Sequence, residues 1–160
     1  MPTKAAERVM LDTNVLLAAT DKGRGEHRNA MTVLNDWPGL GATLYASGQI
    51  LREYLAVATR PVEQNGLGLS ASDAVANARV IRDRIRFLAE DSRVSDQLLT
   101  LTHDVSCGGK QVHDANVVAT MLVHGVEALV TSNVADFRGF ADHVRIIDLP
   151  HLTPVALKDV

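Results

Sequence analysis

The 160-residue sequence has a single cysteine and few aromatic residues, and both shortages narrow what it can encode. Because Cys107 is the only cysteine, the chain forms no internal disulfide and no cysteine-rich zinc site. A reducing compartment, the cytoplasm, is therefore the expected location. Aromatic residues make up 4% of the sequence, which leaves few side chains on which nucleic-acid bases could stack.

The sequence also lacks an excess of positive charge and a long apolar run. The formal net charge is -3, so no global basic field points to nucleic acid, although a local basic rim could still bind it. No run reaches the roughly 20 apolar residues that span a bilayer, and no membrane partner is expected. An apolar fraction of 46% is typical of a folded protein, and we expect residues 1–160 to form one domain.

Alternating strand-like and helix-like segments predict an α/β domain with a central, mostly parallel sheet of about four or five strands flanked by helices. The predicted strands cover 8–12, 42–46, 128–131 and 144–148, with a very short one at Val94. The predicted helices cover 14–21, 26–37, 47–59, 70–90, 96–103 and 112–124, and a short helical turn covers 133–140. The longest helix carries an apolar stripe at helical spacing, formed by Val75, Ala78, Ile81, Ile85 and Leu88.

Four acidic residues each lie next to apolar sequence, namely Asp12, Glu53, Asp114 and Asp136. A carboxylate at the end of a buried strand or on the inner face of a helix loses hydration. It then needs hydrogen bonds, a basic partner or a metal ion. If several such acids converge, their mutual repulsion makes a divalent cation the natural resolution. Asp12 and the Thr131-Ser132 pair follow predicted strands, at the edge where open parallel sheets bind ligands.

Each acid also has a structural explanation. Asp12 could cap the helix that follows it, and Asp114 could be an ordinary acid in the first turn of its helix. Glu53 could be solvated or paired with Arg52 or Arg60, and Asp136 could cap its own turn or pair with Arg138. Periodicity alone does not show that the four acids converge, so both interpretations stay open at this point.

Three arginines, Arg79, Arg82 and Arg86, share one face of the longest predicted helix. They could form a rim for phosphates or for an acidic partner segment. A solvated face paired with neighbouring acids is the favoured interpretation. The sequence shows no Ser-His-Asp or Cys-His arrangement and no glycine-rich phosphate loop that ends in Lys-Ser or Lys-Thr.

The order of the four acidic segments resembles that of the PIN-domain nucleases, and most closely the VapC-type toxins of bacterial toxin–antitoxin pairs. The matching segments are 11–17 (LDTNVLL), 49–54 (QILREY), 113–119 (HDANVVA) followed by Gly125, and 129–137 (LVTSNVADF). Together they run across nearly the whole chain. Some relatives carry an acid directly after the strand-end Thr-x pair, where this chain has Asn133, so the fourth acid would be Asp136.

The resemblance implies a metal-dependent endoribonuclease that hydrolyses RNA phosphodiester bonds as the toxin of a type II toxin–antitoxin pair. The implied catalytic residues are Asp12, Glu53, Asp114 and Asp136. Of these, Asp12, Asp114 and Asp136 would ligate Mg²⁺ or Mn²⁺, ions that prefer oxygen ligands.

The resemblance further implies that Asn14, Thr131 and Asn133 orient these groups. The implied partners are an RNA substrate, a cognate antitoxin and a second copy of the chain in a homodimer. One alternative keeps the fold without the chemistry, as a catalytically inactive PIN-like module that binds RNA or protein. An aspartyl-phosphate enzyme with Asp12 as nucleophile ranks lower, because phosphatases of the haloacid dehalogenase type carry a second Asp where this chain has Asn14.

Overall fold

Five parallel strands form the sheet at the centre of the structure, a computed structural model that describes residues 6–152. The strands are β1 (Glu7–Leu11), β2 (Ala42–Ser47), β3 (Arg86–Leu88), β4 (Ala128–Thr131) and β5 (Arg145–Asp148). Their order across the sheet is β3-β2-β1-β4-β5. The expectation of a central, mostly parallel sheet is therefore confirmed.

The described residues contain seven α-helices, which flank the sheet. They are α1 (Thr13–Thr20), α2 (His27–Asn35), α3 (Gly48–Thr59), α4 (Ala71–Arg84), α5 (Ser92–Val105), α6 (Gln111–His124) and α7 (Val134–Phe137). Short 3-10 turns cover Pro38–Leu40, Val62–Gln64 and Arg138–Phe140. Over residues 6–152, no helix is long and apolar enough to cross a membrane.

Polar caps fix where the helices at the carboxyl edge of the sheet begin. The carboxylate of Asp12 accepts the backbone N–H of Thr13 at 2.8 Å, and the hydroxyl of Ser47 accepts that of Ile50 at 3.5 Å. The helix α6 ends at Gly125, which has a φ of 67°, a left-handed conformation that glycine adopts without a steric penalty. Because β1 and β2 pass almost directly into α1 and α3, their last side chains are held rigidly at the sheet edge.

The strand order reverses at β1, which has β2 on one side and β4 on the other. Open parallel sheets bind ligands at such a reversal, outside the carboxyl ends of the strands. Leu11 pairs with Val130, and the backbone N–H of Asp12 donates to the Val130 carbonyl at 3.0 Å. Asp12 and Thr131 therefore lie side by side at the reversal.

The helix predicted over 70–90 is wrong at its C-terminal end. α4 ends at Arg84, and residues 86–88 form β3, which pairs with β2 at one edge of the sheet. Of the predicted stripe, Ala78 and Ile85 are buried, but Val75 is 41% exposed and Ala74 is buried in its place. Backbone hydrogen bonds to β2 stabilise β3, and local periodicity does not report a tertiary contact of that kind.

The very short strand predicted at Val94 is also wrong. Val94 is buried in the first turn of α5, which begins after the cap residue Asp91. A β-branched residue in isolation favours a strand, but the cap chemistry and the helical run that follows outweigh that preference here.

We expect Leu129→Ala to lower the free energy of unfolding by about 3 kcal/mol, because it removes buried methyl groups and leaves a cavity. Leu129 is fully buried in β4. Leu99 is 71% exposed on α5, so Leu99→Ala is a matched control that should change stability by less than about 0.5 kcal/mol. Urea denaturation followed by circular dichroism measures both. Equal losses in the two variants would contradict this assignment of the core.

Candidate active site

The carboxylate of Asp12 is 8% exposed at the end of β1 and accepts hydrogen bonds through both oxygens. Oδ1 accepts the backbone N–H of Thr13 at 2.8 Å. Oδ2 accepts the hydroxyl of Thr131 at 2.7 Å and the side-chain amide of Asn14 at 3.1 Å. Burial raises the pKa of Asp12, and the nearby Glu53 adds to the rise, although the hydrogen bonds oppose it. Asp12 is thus a helix cap and a desolvated charge at the same time.

Asn14 and Thr131 hold that carboxylate from two sides. Oδ1 of Asn14 accepts the backbone N–H of Ser132 at 3.0 Å, which turns the amide nitrogen towards Asp12. The hydroxyl of Thr131 donates to Asp12 and accepts from Asn14 at 3.2 Å and from the backbone N–H of Asn133 at 3.0 Å. Two of the three residues predicted to orient the acids therefore contact Asp12. Asn133 acts through its backbone and is exposed.

Glu53 is half-buried on α3, and both of its carboxylate oxygens accept hydrogen bonds. Oε2 accepts the hydroxyl of Thr13 at 2.7 Å, and Oε1 accepts the amide of Gln49 at 2.9 Å. Thr13 also donates its backbone N–H to Asp12, so one residue orients two of the acids. No ion pair within residues 6–152 joins Glu53 to Arg52 or Arg60.

Asp114 is half-buried in the first turn of α6, and its pKa is raised to about 6. Loss of hydration is the largest cause, followed by the negative charges of Asp136, Asp12 and Glu53, while His113 opposes the rise. Asp136 itself is exposed on α7. The structure therefore brings the four acids close enough for three of them to act on the carboxyl group of the fourth.

The geometry of these acidic residues does not form a ready-made metal cluster, whereas the chemistry of their oxygen atoms suits a hard divalent cation. Across residues 6–152, no group of three or more His, Cys, Asp or Glu side chains is arranged so that it could hold an ion. The donor set nevertheless fits Mg²⁺ or Mn²⁺, because Mg²⁺ keeps several waters and needs only one or two carboxylates. In the described part of the chain, no lysine or arginine forms an ion pair with any of the four acids. Basic side chains of the described residues therefore do not neutralise these carboxylates.

Sequence reasoning missed four polar residues that hold the acids or their neighbours, namely Thr13, Gln49, Glu90 and Asn116. Gln49 lies four residues before Glu53 on the same face of α3, and this spacing was the available signal. Glu90 gave no signal, because it follows β3, a strand that the sequence pattern predicts as helix.

The three arginines predicted on one helix face are divided between α4 and β3. Arg79, Arg82 and Arg86 are exposed, and the guanidinium of Arg82 lies 5.8 Å from the centre of the Phe87 ring. None of the three forms an ion pair within residues 6–152, so the expected pairing with acids is wrong for the described residues. Their positive charge faces solvent.

The fold and this edge define an α/β protein with an acidic site at the switch point of a parallel sheet. The family model of the PIN domain matches residues 9–142. The chain belongs to the PIN domain family, as the order of the acidic segments predicts.

Individual relatives support the same placement. Ribonuclease VapC24 of Mycobacterium tuberculosis is 29% identical, and the match covers 81% of this chain and 89% of the relative. The structure of VapBC2 from Rickettsia felis, bound to a DNA fragment from their promoter, aligns with a TM-score of 0.65 at 14% identity and covers 88% of this chain and 98% of that one. The structure of VapC20 of Mycobacterium tuberculosis, a sarcin-ricin loop cleaving toxin, aligns with a TM-score of 0.56 at 20% identity. The alignment covers 76% of this chain and 86% of VapC20. A chain of a toxin–antitoxin complex from Klebsiella pneumoniae aligns with a TM-score of 0.60 at 20% identity. The alignment covers 91% of this chain and 99% of that one.

We expect Asp114→Asn to stabilise the metal-free protein at neutral pH. Because the folded-state pKa of about 6 lies above the usual 3.8, the folded chain binds this proton more tightly than the unfolded chain does. The stability that this tighter proton binding gives the folded wild type is complete below about pH 4 and is lost as the pH rises through about 6. At pH 7.5 the variant should therefore gain about 1 kcal/mol, a figure reduced for solvent screening of a half-exposed group.

Thermal unfolding in EDTA between pH 4 and 7.5 measures the effect. The stability of the wild type should fall with pH relative to Asp114→Asn. The exposed Asp142 supplies a control, because Asp142→Asn removes the same charge at a residue that is not among those raising the pKa of Asp114. A wild-type curve that ran parallel to that of Asp114→Asn over this range would contradict the coupling among the acids.

Proposed function

We propose that this protein is a metal-dependent endoribonuclease that serves as the toxin of a toxin–antitoxin pair. The observation that carries the proposal is the pair of dehydrated carboxylates at the switch point. The pKa of Asp12 is raised by burial, and that of Asp114 is raised to about 6. Among residues 6–152, neither group forms an ion pair with a lysine or an arginine, so a divalent cation would stabilise their charged forms. Two similar proteins, a ribonuclease and a sarcin-ricin loop cleaving toxin, support the reaction class.

Asp12 and Asp114 would hold Mg²⁺ or Mn²⁺, with Asp136 as a further ligand on the exposed side. The bound ion would supply a water of lowered pKa and would offset the charge that develops on the phosphate. Glu53, whose oxygens are already oriented by two neutral donors, would hold the attacking water in place. Asn14 would keep the carboxylate of Asp12 in its present orientation.

RNA is the proposed substrate because of what the similar proteins act on and because this site needs a cation to accept a phosphate. Four carboxylates alone would repel a polyanion. The exposed Arg79, Arg82 and Arg86 supply positive charge that could contact a backbone at a distance from the acids. Hydrolysis would add water across the P–O bond, leaving one phosphate-bearing and one hydroxyl-bearing end.

Purified protein should cleave RNA with Mg²⁺ or Mn²⁺ and should lose that activity in EDTA. Asp12→Ala should lower kcat by more than about 100-fold, since a lost ligand should exceed the 10–100-fold cost usual for groups that only orient one. A gel assay on a fluorescent RNA measures both effects. Asp142→Ala, which removes an exposed acid, should cleave as the wild type does. Cleavage in EDTA or by Asp12→Ala would refute the mechanism, and RNA binding without turnover would support an inactive binding module instead.

We further propose that the protein is a homodimer inhibited by an antitoxin. Two of the similar structures contain an antitoxin, and this chain has apolar surface to bury. Val75 and Val80 on α4 are 41% and 59% exposed. A basic antitoxin side chain entering the acidic site would compete with the metal and block activity by electrostatics.

Overproduction of the wild type should therefore arrest growth, whereas Asp12→Ala should not. Co-production of the protein encoded by the adjacent gene should restore growth and give a stable complex. Size-exclusion chromatography with light scattering reports the mass of the free protein and of the complex. A free protein that stays monomeric at high concentration, together with an adjacent gene product that fails to bind, would refute this assignment.

A further inference from the structure

A chain of hydrogen bonds leads from the end of the edge strand β3 to the carboxylate of Glu53. Oε1 of Glu90 accepts the side-chain amide of Asn116 at 2.6 Å. The same amide donates to Oε1 of Gln49 at 2.7 Å. Nε2 of Gln49 then donates to Oε1 of Glu53 at 2.9 Å and to the carbonyl of His113 at 2.9 Å. We call Glu90, Asn116, Gln49 and Glu53 the relay.

The relay has a direction, because an ionised carboxylate at its first position can only accept. Glu90 therefore requires Asn116 to present its nitrogen, and that nitrogen lies within reach of Gln49 as well. Gln49 must meet it with its oxygen, so its own nitrogen faces the other way, towards Glu53. If Asn116 turned round, its oxygen would lie against the oxygen of Gln49, and Gln49 could relieve this repulsion only by turning its own oxygen towards Glu53 and the His113 carbonyl.

Glu90 also holds the backbone from which Gln49 projects. Its Oε2 accepts the backbone N–H of Gln49 at 2.8 Å, one of the unpaired donors at the start of α3. A Cβ at Gly48 would lie 3.0 Å from the same oxygen, a tight contact, so glycine leaves room for this approach. Gln49 is 6% exposed, and an unsatisfied amide at that depth would be costly.

We propose that Glu90 is a positioning residue that sets the direction of the relay and so keeps an amide N–H on Glu53. This inference rests on the proposed nuclease function, in which Glu53 holds the attacking water. Glu90 would contact neither the RNA nor the metal ion. It would act through Asn116 and Gln49, which also act as positioning residues.

Exchanging the two end groups separates direction from simple attachment. In Glu90→Gln, a single carbonyl oxygen replaces two acceptors, so one of the two N–H donors loses its partner. In the double variant Glu90→Gln with Asn116→Asp, the new amide can still accept from the Gln49 backbone and can donate to the new carboxylate. Both hydrogen bonds at position 90 are thereby restored, but the carboxylate at position 116 now demands the nitrogen of Gln49.

We expect Glu90→Gln to lower kcat by at least about 10-fold with KM for RNA changed less than about twofold, the loss usual for groups that orient a catalytic residue. In the double variant kcat should stay low, because the restored hydrogen bonds at position 90 do not return the Gln49 amide N–H to Glu53. Asp91→Asn is the control, because it removes a negative charge from the residue that follows Glu90 and because asparagine can still cap α5. Its kcat should match that of the wild type.

A second readout does not depend on turnover. The side-chain amide signal of Gln49 in a nitrogen–proton NMR spectrum, assigned by its loss in Gln49→Ala, should shift in Glu90→Gln and in the double variant. It should not shift in Asp91→Asn. If Glu90→Gln fails to fold, the double variant carries the comparison, because it keeps both bonds at position 90.

Recovery of kcat in the double variant would show that Glu90 only attaches two segments, and would overturn the inference. An unmoved Gln49 signal would overturn it as well. Failure of the proposed function is a different result, since the wild type itself would then not cleave RNA with Mg²⁺ or Mn²⁺. The NMR comparison would still decide whether the relay has the proposed direction.

Discussion

The burial of the Asp12 carboxylate is the constraint on which the rest of the site depends. An ionised carboxylate that is 8% exposed requires several hydrogen bonds to offset its lost hydration. The donors come from the start of α1 and from Thr131 at the end of β4. They converge only because β1 and β4 pair in register, with Leu11 opposite Val130. The sheet topology thus determines whether this charge can be held at all.

The hydrogen bonds position the acids but do not neutralise them. Thr13 links Asp12 to Glu53 through its backbone N–H and its hydroxyl, and both are neutral donors. The mutual repulsion therefore persists, and it contributes to the raised pKa of Asp114. In the proposed reaction, a site that keeps negative charge fixed in place would need little reorganisation when a cation and a phosphate bind. Stability would then be given up locally for a preorganised arrangement of carboxylate oxygens.

The sequence predicts what depends on neighbours along the chain and misses what depends on contacts in space. The helix α3 begins after Ser47, whose hydroxyl caps it, and ends before Pro61, which lacks a backbone N–H. Its limits could therefore be predicted from the sequence. The three residues of β3 are a strand only because β2 lies beside them. Because the sequence pattern predicts helix in place of β3, Glu90 is predicted as one more acid on that helix. In the structure it follows the strand and contacts the backbone N–H of Gln49.

The acids differ in exposure, and this gradient determines the role that each can play in the proposed reaction. Asp12 is buried, Glu53 and Asp114 are half-buried, and Asp136 is exposed. A polymer as large as RNA would meet the exposed side first, so Asp12 would act on it only through a bound ion. A carboxylate beyond the reach of the substrate can keep all of its protein hydrogen bonds during turnover. Its donors therefore need no movement, which is consistent with their placement on strand and helix ends and not on loops.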